Sequence, residues 1–324
     1  MYYHCNLVVS GALLVPFKCL AVALISLGLL SGGVARAEIT IDHAMGSAAV
    51  PDMPRRVVTL TNETTEAALA VGVVPVGATR SWYGDPWYPH LDDRLSGAEV
   101  LGTELAVNLE LLAALQPDLI IGSRKRDEEI YGQLSAIAPT VFVEGLGAWQ
   151  ENLAFVAKAL NRSAEGTAAL ASYETRVEAL RAGLGDRLAE RVSVVRFVPG
   201  QTYLYLEGSF LGHLLSDVGF SRPVQQQGDG LSLAVGRESI PDMDGDRIFW
   251  LTYDSGDGKG KQMADAFLSD PLWVRLGAVE AGRVHAVDDG IWATAGGWFA
   301  AQAMLDDLAA VYGVTLPLAR GAGR

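Results

Sequence analysis

Arginine and aromatic side chains gather at five points of a chain that is otherwise acidic. The first holds Arg80, Trp82 and Tyr83, and the second is Ser123-Arg124-Lys125-Arg126. The third is Arg196 with Gln201, Tyr203 and Tyr205. The fourth is Thr252-Tyr253, and the last is Asp288-Asp289-Gly290-Ile291-Trp292. A guanidinium presents donors in a fixed fork that fits carboxylate, hydroxamate or catecholate oxygens. Tyrosine and tryptophan pack against an organic scaffold and add one polar edge. This is the chemistry of holding a small molecule. The chemistry of breaking bonds leaves no mark: there is no G-x-S-x-G elbow, no P-loop and no HExxH helix. His43, His90, His213 and His285 lie far apart in the chain, so a bare metal site with converging ligands is not expected.

The plain alternatives differ by residue. Trp82, Trp87 and Tyr88 also fit loop packing, and Arg80 and Arg124 also fit a solvated surface. Trp250 reads as buried in a sheet, Trp273 as a structural residue of an Asp-Pro-Leu-Trp turn, and His285 as packed within a strand.

The elements that must position these groups follow an alternating pattern. Short apolar runs at 57–60, 74–77, 119–121 and 140–143 read as buried strands. Amphipathic stretches at 65–71, 109–115 and 130–137 read as the helices between them. From Trp149 to about Leu184 no strand signal occurs, and 169–180 has clear helical periodicity. Alternation resumes with strands at 192–198, 247–251 and 284–287 and helices at 210–218 and 299–312. The pattern predicts an N-terminal α/β lobe over 38–160, a linking helix over 161–185, a C-terminal α/β lobe over 186–315 and a tail over 316–324. In open α/β sheets ligands bind beyond the carboxyl ends of the strands, where all five clusters fall.

One internal repeat stands out. Asn108-Leu109-Glu110 leads after eight residues from the glutamate to Asp118 and an apolar strand; Gly236-Arg237-Glu238 leads after the same interval to Asp246 and another. The aspartate fits a turn accepting backbone N–H groups, and the glutamate a first helical turn. Singly, Glu110 and Glu238 would be ordinary N-terminal helix acids. At matching places in two lobes they form an exposed pair suited to a symmetric partner.

Lys18, a short apolar run from Cys19 to Leu30, and Ala35-Arg36-Ala37 make a secretory signal peptide over 1–37 with cleavage before Glu38. The run is too short to span a bilayer, which takes roughly 20 apolar residues. The whole chain carries a net charge of −13. Residues 1–37 hold two basic and no acidic side chains, so the exported part carries 23 basic against 38 acidic, a net −15. Such a surface repels nucleic acid and anionic lipid. Cys5 and Cys19 both lie in the signal region, outside any lipobox, which leaves the exported part without thiols and favours a free periplasmic protein over a lipoprotein.

Several stretches together resemble the helical-backbone (class III) periplasmic binding proteins of ABC importers. They are Pro54–Leu60, Glu66–Gly77, Leu101-Gly102, Asn108–Ile121, Asp270-Pro271-Leu272-Trp273 and Ala281–Val287. The resemblance covers nearly the whole exported chain. It implies an α/β fold of two Rossmann-like lobes with mostly parallel sheets, joined by one long α-helix, with a ligand cleft between the lobes. It implies that Glu110 and Glu238 dock on arginines of a permease dimer. Ser123–Arg126, Val195-Arg196-Phe197 and the Trp292 region most resemble the iron-siderophore branch. The expectation is a periplasmic monomer that captures a ferric siderophore and hands it to an inner-membrane ABC permease. Its contacts would be Arg80, Trp82, Tyr83, Arg124, Arg126, Arg196, Tyr203, Tyr253 and Trp292. No cofactor of its own is expected, because the siderophore carries the iron. Haem or cobalamin on the same fold, and an exported enzyme, are the alternatives.

Overall fold

The computed structural model describes residues 37–254 and 256–320. The proposed export segment over 1–37, with both cysteines, lies outside the described residues except for Ala37.

Two five-stranded sheets form the frame. The first runs Glu99–Val100, Gly77–Ala78, Val57–Thr59, Leu119–Ser123, Thr140–Val143 in spatial order, every neighbouring pair parallel. Leu119–Ser123 and Thr140–Val143 are buried throughout, as expected of strands covered on both faces. The second sheet runs Ser232–Val235, Gln201–Tyr205, Val192–Val198, Arg247–Thr252, Val284–Ala286. Only Val192–Val198, Arg247–Thr252 and Val284–Ala286 pair in parallel; Gln201–Tyr205 and Ser232–Val235 are antiparallel additions. This half is therefore mixed, because Pro199-Gly200, with Gly200 at φ +79°, turns the chain straight back.

Strands and helices formed by continuous apolar runs lie where the sequence puts them: Thr140–Val143, Val192–Val198 and Phe210–Val218 agree residue for residue. Others shift. The strand expected at 74–77 is reduced to Gly77–Ala78. The helix expected from Thr65 begins at Asn62, because Thr61 caps it: its hydroxyl accepts the Thr64 N–H at 3.2 Å. The helical stretch after Trp149 is two helices, Trp149–Ala159 and Ser163–Leu184. Asn161 breaks it at φ +52°, with the Arg162 N–H returning to the Ala157 carbonyl at 2.7 Å. That is a Schellman closure, and asparagine tolerates the left-handed position.

Ser163–Leu184 has 22 residues, about 33 Å of helix at 1.5 Å per residue. It packs on Trp149–Ala159 and on the closing helix Trp298–Tyr312. Buried Arg176 fastens it there, with Nη1 donating to the Gln302 side chain at 2.6 Å and to its carbonyl at 3.1 Å. An N-terminal hairpin, Glu38–His43 with Gly46–Pro51, lies beside Thr140–Val143. Among the described residues no helix is long and apolar enough to cross a membrane.

The internal repeat survives as geometry. Asp118 accepts the backbone N–H groups of Arg55 (3.0 Å) and Arg56 (2.8 Å), just before the strand Val57–Thr59. Asp246 accepts the Arg191 N–H (2.8 Å), just before Val192–Val198. Each aspartate also donates its own N–H to the carbonyl of Arg56 or Arg191, at 2.9 and 2.8 Å. The same residue type locks the start of the central strand in each sheet.

Candidate ligand cleft

A cleft of about 650 Å³ opens between the carboxyl ends of the two sheets. Glu63 follows Val57–Thr59, Trp82 follows Gly77–Ala78, and Lys125 and Arg126 follow Leu119–Ser123. Facing them are Arg196, Tyr203 and Tyr205 from the antiparallel pair, and Tyr253 beyond Arg247–Thr252.

Arg196 is held hard. Its Nε and Nη2 donate to the two oxygens of Asp289 at 2.6 and 2.9 Å, and Nη1 donates to the Tyr205 hydroxyl at 2.8 Å. The guanidinium carbon lies 5.6 Å from the Tyr253 ring centre and 5.8 Å from that of Tyr205. Burial raises the Asp289 carboxyl above its ordinary range, and Arg196 opposes the rise. Arg126 is held loosely. Its Nε is 3.6 Å from Glu104 Oε2, and its guanidinium carbon is 5.6 Å from the Trp82 ring centre. Each wall thus carries an arginine with an acidic partner and an aromatic face.

Three of the other expected contacts sit away from the wall. Arg80 is exposed and reaches the Gly84 carbonyl at 3.4 Å. Arg124 pairs with Glu144 on the open surface. Tyr83 spends its hydroxyl on a tie between loops, donating to Asp288 and accepting the Gly290 N–H at 2.6 Å. Burial and that carboxylate push its phenol far up. Trp292 borders the cleft but is 0 % exposed. Its indole stacks on Phe249 at 4.7 Å and donates to Asp307 at 2.8 Å, so it supports the wall from behind. Trp87, Tyr88 and Trp273 are buried, whereas Trp250 is half-buried against Phe197.

The carboxylates Glu63 and Glu104 escaped the sequence reading. Glu63 is 5 % exposed. It accepts the Gly147 N–H at 2.9 Å and an Asn152 amide hydrogen. Burial pushes its carboxyl up to about 7, with those hydrogen bonds opposing. Glu104 occupies the turn of a small hairpin, Gly102–Thr103 with Ala106–Val107. The strand-end rule applied to Val57–Thr59 marks Asn62-Glu63; nothing in the local sequence marks Glu104.

Glu110 and Glu238 are both exposed. Glu110 lies in the first turn of the α-helix Leu109–Ala114, capped by the Asn108 side chain. Glu238 lies in the first turn of a 3₁₀ segment, Arg237–Met243, instead of an α-helix; the Pro241 ring would crowd the i−4 carbonyl of an α-helix there. Two residues after each glutamate a side chain, Leu112 or Ile240, is fully buried. Both segments lead back into a parallel strand, so their N-terminal ends lie toward the carboxyl edge of each sheet, on the cleft side.

The periplasmic binding protein family matches residues 57–290. The chain is 46 % identical over 279 residues to the probable siderophore-binding lipoprotein YfiY of Bacillus subtilis, covering 83 % of this chain and 86 % of that one. It is 33 % identical over 268 residues to the achromobactin-binding periplasmic protein of Dickeya dadantii, covering 81 % and 88 %. The crystal structure of Staphylococcus aureus SirA complexed with staphyloferrin B superposes with a TM-score of 0.80 at 32 % identity, over 86 % of this chain and 99 % of that one.

Proposed function

This chain belongs to the periplasmic binding protein family, and from that premise we propose that its cleft captures a ferric siderophore for delivery to an ABC importer permease. One observation carries the reading. Arg126 and Arg196 face a common space of about 650 Å³ from opposite walls, each beside an aromatic ring. Two guanidiniums at the ends of a partly apolar cleft suit a ligand whose oxygens surround a metal and whose scaffold is organic. The siderophore names of the relatives support the same class. The iron stays inside the ligand and needs no protein donors. In this reading the exported protein is a free periplasmic monomer, although relatives from Bacillus subtilis are named as lipoproteins. Glu110 and Glu238 are the permease contacts, supported by their exposure and matched offsets from a buried anchor.

The test is titration of the purified protein with a panel of ferric siderophores, followed by tryptophan fluorescence, with Trp82 in the cleft as reporter. Saturable quenching by at least one ferric complex, weakened in Arg126→Ala, is expected. Quenching by none of them, or equal affinity in the variant, overturns the site.

A further inference from the structure

The hairpin that carries Glu104 is built to deliver it inward. Gly102 opens it at φ +93°, and a Cβ there would stand 2.3 Å from the Ala106 carbonyl oxygen, so no side chain fits. Leu105 at the tip is 68 % exposed while Glu104 beside it is 6 % exposed. Glu104 Oε1 accepts both the Asn62 backbone N–H, at 2.7 Å, and the Asn62 side-chain amide, at 2.6 Å. That fixes the carboxylate and leaves Oε2 turned to Arg126, at 3.6 Å from Nε. This separation is an ion pair too long for a good hydrogen bond. The guanidinium is therefore confined between a fixed carboxylate and the Trp82 face, and among the described residues its donors make no hydrogen bond, which leaves them for a ligand.

Most of the positive charge in the cleft is also offset. Lys125, Arg126 and Arg196 line it, and Glu104 on its wall with Asp289 on Arg196 stands against two of the three. In a partly desolvated space, charges act on a ligand more strongly than they do through water. We propose that Glu104 is the positioning residue of Arg126 and, through its charge, biases the cleft toward ferric complexes of low net charge over strongly anionic ones. The inference rests on the ligand reading above.

The test compares affinities for a ferric trihydroxamate, which is neutral, ferric citrate, and a ferric tris-catecholate, whose three dianionic arms leave three negative charges around Fe³⁺. The proteins are wild type, Glu104→Gln and Glu104→Asp. Glutamine keeps an oxygen for the Asn62 donors and removes the charge. Its expected effect is a gain of about tenfold or more in tris-catecholate affinity relative to trihydroxamate, with a steeper salt dependence. Aspartate, which keeps the charge but falls short of Arg126, restores the ranking while lowering affinity for all three. A purely structural role would weaken every complex equally in the glutamine variant. An unchanged ranking with wild-type binding intact overturns this inference alone; no binding of any complex by wild type overturns it together with the cleft reading.

Discussion

Removing the Arg196 side chain should damage stability and binding separately. The Arg196 side chain is 15 % exposed and that of Asp289 only 4 %. They are joined by two hydrogen bonds at 2.6 and 2.9 Å. Arg196→Ala leaves a buried carboxylate with no cation, a defect that typically costs about 3–5 kcal/mol. For a domain of this size roughly 2–3 °C is lost per kcal/mol, so the melting temperature should fall by about 6–15 °C. The pH dependence has a definite sign. Burial already raises the folded-state value of Asp289, and loss of the guanidinium raises it further. A carboxyl raised on folding contributes stability that is present below its unfolded value and is lost as pH rises toward the folded one. The deficit should therefore be larger near pH 8 than near pH 5. Adding Asp289→Asn removes the stranded charge and should recover much of the melting temperature, while ligand affinity stays low. Differential scanning calorimetry and fluorescence titration read the two effects apart. If Arg196→Ala melts within about 2 °C of wild type, or if Asp289→Asn brings no recovery, the pair does not hold the second wall as described.

Three further outcomes follow from particular contacts. Reversing Glu110 and Glu238 together to lysine should leave ligand affinity intact and impair uptake in a transport assay, single reversals doing less because exposed ion pairs contribute roughly 0.2–1 kcal/mol each; full uptake by the double variant excludes the docking role. Burial pushes Asp127 from 3.8 to about 7, so its contribution to stability falls as pH rises through that window. Asp127→Asn, which can still accept the Ser123 N–H, should melt above wild type near pH 8 and lose that advantage near pH 5. Trp292→Phe strips Asp307 of its indole donor and should destabilise by about 1–3 kcal/mol, while ligand affinity stays within about twofold of wild type.

The sequence was most legible where burial on both faces made strands into unbroken apolar runs, as in Val192–Val198. It was least legible where pairing was antiparallel or at an edge. Ser232–Val235 is largely exposed and carries little pattern. The hairpin Glu38–His43 with Gly46–Pro51 mixes small and polar residues, and the hairpin bearing Glu104 has strands of only two residues. The cleft arginines were legible because cations at strand ends have few structural uses in an acidic chain. The carboxylates were not, because Glu63 reads as an ordinary first-turn acid. Its burial depends on Gly147 and Asn152, which lie more than eighty positions away. Trp292 does border the cleft, but the enclosure of its ring by Phe249 and Asp307 depends on residues that its local sequence does not mark.

The two walls solve one problem differently. An arginine in a cleft needs orientation, or it collapses onto the nearest carboxylate and offers nothing to a ligand. In the second lobe Asp289 and Tyr205 engage all three guanidinium nitrogens of Arg196. That wall is rigid, and a ligand meets only its remaining N–H groups. In the first lobe Asn62 takes up Glu104 Oε1, so the carboxylate holds Arg126 at a distance and leaves its donors available. Affinity gained by an adjustable donor is limited by the cost of ordering it, whereas a preordered donor incurs less of that cost. A carrier that must release its cargo gains from this division: one wall sets where the ligand lies, and the other sets how tightly it is held. On that logic the first lobe, through Glu104 and Trp82, is where selectivity changes most readily, and the second is where substitutions mainly endanger the fold.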